Sequence, residues 1–68
     1  GAKVLTVEEG MTLSNIAFTE YGNAHCWIYL YEANKQNISD PSKLQIGQKI
    51  VIPTLTQSQK ESVKNVSF

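Results

Sequence analysis

Apolar positions along the chain change period three times. Residues 3–7, KVLTV, are rich in β-branched side chains, with Leu5 and Val7 on one face and Val4 and Thr6 on the other. That alternation predicts a strand. Gly10 breaks it. Thr12 is a good N-cap, and Leu13, Ile16, Ala17 and Tyr21 then recur at helical spacing. Gly22 stands where a left-handed cap is wanted, so a first helix should stop there. After the tight Asn23-Ala24 connection, a second helix fits residues 24–35, with Trp27, Leu30, Ala33 and Asn34 on its inner side. Two helices joined so closely must fold back on each other.

Residues 36–43, QNISDPSK, read as a loop with a turn at Asp40-Pro41, and Gly47 marks another turn. KIVI at 49–52 is the second strand, with Ile50 and Ile52 inward, and Pro53 ends it. The order strand, helix, helix, strand predicts an α+β fold. Its two strands pair antiparallel and both helices pack on one face, because a two-stranded sheet does not stand alone. Residues 54–68 are polar with scattered valines. Ser58 and Glu61 have capping-box spacing, which allows a short helix over about 59–66. Composition favours a solvated linker there, so a domain over residues 1–53 followed by a polar tail is expected.

A chain of 68 residues is one small domain, burying about 60% of its unfolded surface. Cys26 is the single cysteine, so no internal disulfide exists. His25 and Cys26 together fall short of a metal-ligand set, and no cofactor is expected. Six basic residues balance six acidic ones without a basic stripe, which argues against nucleic acid and against an anionic membrane surface. No apolar run approaches a membrane span, so no membrane insertion is expected. The abrupt start at Gly1-Ala2, without a signal-peptide pattern, reads as a piece cut from a longer protein.

The chain resembles the lysin motif, or LysM, family. The front half is TVEEGMTLSNIAFTEYG at 6–22, against the family pattern TV..GDTL..IA...YG. The back half is LYEANKQNISDPSKLQIGQKIVIP at 30–53, against I.EAN.......L..GQ.L.IP. The resemblance implies a βααβ fold. It also implies a noncatalytic module that binds N-acetylglucosamine polymers, peptidoglycan or chitin, and anchors other domains of a parent protein at the cell envelope. The family's shallow sugar groove would map onto Gly10, Met11, Thr12 and Leu13 as one wall. Asn37, Ile38, Ser39, Asp40 and Pro41 would form the other, with Leu44 at the floor. Ile38 and Leu13 would cover the N-acetyl methyl. Met11 replaces the usual Asp of GDT; it is expected to accept no hydrogen bond and to offer flexible apolar surface instead.

Each of these residues also has a plain structural reading. Gly10-Met11-Thr12 can be only a turn and a cap. Asn34 suits a buried polar group that satisfies loop backbone, and at helical spacing Trp27 and Tyr21 suit the core rather than sugar-stacking platforms. His25 and Cys26 suit surface or packing roles. Glu8 and Glu9 are adjacent strand positions facing opposite ways, not an acid pair. Phe18, Ile28 and Tyr29 fall outside the inner helix faces, and at least one should be more than half exposed. They support an alternative: a LysM-fold protein-interaction module in a larger assembly such as a phage-like baseplate, without sugar. No nucleophile-base pair supports an enzyme.

Overall fold

A computed structural model describes residues 3–62. The elements are β1 (Lys3–Thr6), α1 (Leu13–Tyr21), a 3₁₀ turn (Ala24–Cys26), α2 (Trp27–Asn34), β2 (Lys49–Ile52) and α3 (Gln57–Ser62). β1 and β2 pair antiparallel, with Val4 opposite Val51 and Leu5 opposite Ile50. The alternation read from the sequence sets the faces. Val7, Ile50 and Ile52 are buried under the helices, while Val4 and Val51 lie on the outer face.

Local signals start and stop α1 where the sequence puts them. Thr12 has extended dihedrals, and its Oγ1 accepts from the Asn15 N–H at 3.1 Å. Gly22 closes the helix at φ +75°, its N–H donating to the Phe18 carbonyl, a conformation that costs a residue with a Cβ. Leu13, Ile16 and Ala17 are buried. Tyr21 is half-buried and its hydroxyl donates to the Pro53 carbonyl, tying the end of α1 to the end of β2. Burial chiefly, with smaller contributions from Cys26 and Glu20, pushes that phenol up to about 12.

The second helix departs from expectation at its start and on its face. Residues 24–26 wind as a 3₁₀ turn before α2 begins. Asn23 caps that turn, Oδ1 accepting from the His25 N–H at 2.9 Å. Cys26, Leu30 and Asn34, four apart, form the buried stripe. Ala33, expected inward, is exposed, and Trp27 is only half-buried. The stripe is narrower than a 3–4 alternation implies, so positions at its margins face outward.

Asn34 is 2% exposed and fully bonded. Its Nδ2 donates to the Leu30 and Val51 carbonyls, each at 2.8 Å, and its Oδ1 accepts from the Val51 N–H at 2.8 Å. It therefore satisfies strand backbone rather than the loop backbone expected, taking both ladder groups that Val51 presents on the side of β2 away from β1. The rest of the core is apolar: Val7, Leu13, Ile16, Ala17, Cys26, Leu30, Ile38, Ile50, Ile52 and Leu55.

The segment after β2 carries a helix in a different register from the one expected. The capping box is Thr56 with Gln59. Gln59 N–H donates to Thr56 Oγ1 at 3.1 Å, and Thr56 N–H donates to Gln59 Oε1 at 2.9 Å. α3 consequently starts at Gln57, and residues 63–66 of the expected helix lie outside the described residues. Leu55 is buried, and Ser62 Oγ is 2.7 Å from the Tyr29 hydroxyl. Tyr29 packs half-buried against the core, whereas Phe18 is 63% exposed and Ile28 43%.

Candidate functional site

The turn before α1 is built around Glu8, Gly10 and Met11. Met11 N–H donates to the Glu8 carbonyl at 3.1 Å, and the Glu8 N–H reaches Met11 Sδ at 3.3 Å. Met11 thus does accept a hydrogen bond, contrary to expectation, and the thioether closes the turn. Gly10 makes the turn at φ +86° with open space around it. Met11 faces a small hollow of about 100 Å³ with Leu5, Asn15, Ile16, Thr19 and Glu20.

The turn before β2 is built around Asp40. Its Oδ1 accepts from Ser42 Oγ at 2.7 Å and from the Ser42 N–H at 3.0 Å, and its carbonyl accepts from the Lys43 N–H. The Ser42 hydroxyl and then its amide hold the Asp40 carboxyl below the ordinary aspartate value. Gln48 Nε2 donates to the Asn37 carbonyl at 2.7 Å, fastening the far side of the same loop. Ile38 is 4% exposed and turned into the core, and Leu44 packs half-buried against it.

Between these turns lies an open groove of about 570 Å³. Thr12, Leu13 and Ser14 line one side, Pro41 and Ser42 another, and Ala24, His25 and Trp27 a third. The groove brings together three of the sequence-predicted site residues: Thr12, Leu13 and Pro41. Gly10 and Met11 lie outside its lining, as do Asn37, Ile38, Ser39 and Asp40. Sequence reasoning passed over Ser14, Ala24 and Ser42, and it gave His25 a surface or packing role and Trp27 the core rather than a sugar-stacking platform. The signal for Trp27 was its place just after the helix connection, where an aromatic can pack inward or face a ligand.

The groove carries polar groups on apolar walls. Thr12 Oγ1 satisfies the Asn15 amide and the Thr12 carbonyl accepts from the Ile16 N–H. The Leu13 and Ser14 amides are the first-turn donors left without an intrahelical partner. Three or more His, Cys, Asp or Glu side chains grouped to hold a metal do not occur among the described residues. Cys26 is buried beneath the turn, and burial pushes its thiol pKa up, outweighing the opposing effect of Lys60. Among the described residues no helix is long and apolar enough to cross a membrane.

Part of the chain is similar to known proteins. The potassium binding protein Kbp of Escherichia coli O6:H1 is 44% identical over 48 residues, 71% of this chain and 32% of that protein. The resuscitation-promoting factor Rpf of Micrococcus luteus is 38% identical over 52 residues, 76% of this chain and 23% of that protein. The chain thus spans a third or less of the relatives it matches. The family model for the LysM domain matches residues 29–53, from α2 through β2. Over residues 29–53 the chain thus carries a match to the LysM domain family, and the β-α-α-β order around that match agrees with the family's fold.

Proposed function

We propose that this chain is a noncatalytic module that binds N-acetylglucosamine-containing glycan in the groove between the α1 N-terminus and the loop at Pro41. The observation that carries the reading is one concavity lined from both connections, by Thr12 and Leu13 on one side and Pro41 on the other. An acetamido group presents a carbonyl acceptor, an amide donor and a methyl. The free first-turn amides of α1 suit the carbonyl, a serine or threonine hydroxyl suits the amide, and the half-buried Ala24 and Pro41, in place of the buried Leu13 and Ile38, suit the methyl. So few contacts give weak binding per sugar, and a parent protein gains strength by repeating the module or by binding a long polymer. In that parent the module holds other domains against peptidoglycan at the cell envelope.

Titration with chitin oligomers, followed by amide NMR shifts, tests the proposal, with pull-down on purified peptidoglycan beside it. Shifts should concentrate at residues 12–14 and 41–42. An unchanged spectrum at millimolar sugar, with no retention on peptidoglycan, refutes it. The exposure of Phe18 and Ile28 supports a second reading, a protein-interaction module that dispenses with sugar. That reading gains if the spectrum stays unchanged with glycan while Phe18→Ser abolishes assembly with the parent's partners.

A further inference from the structure

We infer that Trp27 is the platform on which a pyranose ring of the glycan stacks, so that the 3₁₀ turn between α1 and α2 supplies a third wall with its own specificity; this rests on the glycan reading above. The two loop walls contribute Thr12, Leu13, Ser14, Pro41 and Ser42. These can bond or cover an acetamido group, but none offers a broad flat apolar surface. Trp27 does, and it lines the same groove.

Its placement follows from the turn that precedes it. Asn23 caps that turn, Cys26 is driven fully into the core, and the Trp27 N–H donates back to the Ala24 carbonyl. With Cys26 pinned inward, the next side chain stands about 100° round the helix. Trp27 is therefore half-buried instead of enclosed. Tyr31, one turn along the same flank, braces it with ring centroids 6.5 Å apart and planes tilted by 46°. A side chain already held on one side loses little freedom when a ligand covers the other.

The chemistry of the platform selects the sugar. A β-linked gluco-configured pyranose keeps its substituents equatorial, so each ring face is a patch of C–H bonds that gains by leaving water. An axial hydroxyl, as in a galacto-configured ring, interrupts one such face and must be desolvated without a partner. Trp27 should therefore favour β-1,4-linked N-acetylglucosamine over its galacto-configured counterpart, a discrimination that hydrogen bonds to the acetamido group alone would not give.

The chain has one tryptophan, so its fluorescence reports on this residue alone. Titration of the full chain with chitin hexaose should change Trp27 emission with the same midpoint as the amide shifts at residues 12–14. Saturation of the indole protons should transfer to sugar protons. Trp27→Ala should weaken binding at least about tenfold, and Trp27→Phe by less, with circular dichroism confirming the fold. If Trp27→Ala fails to fold, Trp27→Phe and the wild-type saturation transfer decide. Wild-type binding seen by amide shifts, with unchanged emission and no transfer from the indole, overturns the platform and leaves the glycan reading standing. Equal affinity for the galacto-configured oligomer overturns its role in specificity. A wild-type chain that binds neither sugar by any readout overturns both.

Discussion

Asn34 joins α2 to β2, and removing its side chain should cost more than any surface change in this domain. Asn34→Ala deletes three hydrogen bonds, one to Leu30 and two to Val51. At a net ~1 kcal/mol each, and with a small cavity left behind, the loss should be about 3 kcal/mol. A domain of this length has on the order of 3–10 kcal/mol in all, so the variant should melt roughly 12–24 °C lower. Asn34→Asp separates the donor from the acceptor. The new carboxyl can still accept from the Val51 N–H, but its second oxygen meets the Leu30 and Val51 carbonyls where Nδ2 donated. Burial and those carbonyls raise its folded pKa above the unfolded value. A raised folded pKa means the variant is best stabilised below the unfolded aspartate value and loses that stability as pH rises through the folded one. Thermal melts of both variants from pH 3 to 8 check this. A loss below about 1 kcal/mol for Asn34→Ala, or a flat pH profile for Asn34→Asp relative to wild type, would refute the reasoning.

Leu55 is 8% exposed, so Leu55→Ala should cost about 2–3 kcal/mol, and ending the chain at residue 54 should lower the melting midpoint by roughly 8–24 °C; an unchanged midpoint would make residues 55–68 a dispensable linker. The Asp40 carboxyl is held low by Ser42, so the turn it closes should persist above the ordinary aspartate value and loosen as pH falls through the lowered one. Ser42→Ala should move the Asp40 NMR titration midpoint upward, and an unmoved midpoint would contradict the assignment. Cys26 is buried with a raised thiol pKa, so a thiol reagent at neutral pH should label it only at the rate of unfolding; prompt labelling of native protein would show the core open there.

Much of this fold is written in short local signals. The N-cap of α1 needs only Thr12 and its neighbours, and the stop needs only Gly22; both are set by dihedrals and bonds within one turn. The faces of β1 and β2 follow from a period of two, which leaves no freedom once one face is buried. The helix after β2 was less legible because two overlapping boxes compete. Ser58 with Glu61 has the right spacing, but Thr56 with Gln59 forms the closed pair, and Leu55 before it is anchored in the core. A hydrophobic residue preceding the cap and buried against the body decides between two boxes that look equal in sequence.

The groove was half legible for a different reason. Thr12, Leu13 and Pro41 sit next to strong turn signals, so a loop-based reading reaches them. Trp27 sits on α2, at the margin of a stripe formed by Cys26, Leu30 and Asn34. Periodicity gives the angle of such a residue but not what covers it. Tyr31 shares its flank, while Ala33 on the opposite margin is exposed, and nothing in the spacing distinguishes the two sides. The difference comes from tertiary structure: the α1 N-terminus and the Pro41 turn rise beside Trp27 and leave a gap between them. An aromatic at the edge of a core stripe therefore becomes part of a surface concavity when neighbouring connections stand away from it. Its half-burial is the expected state of a side chain that serves packing on one side and is available to a ligand on the other.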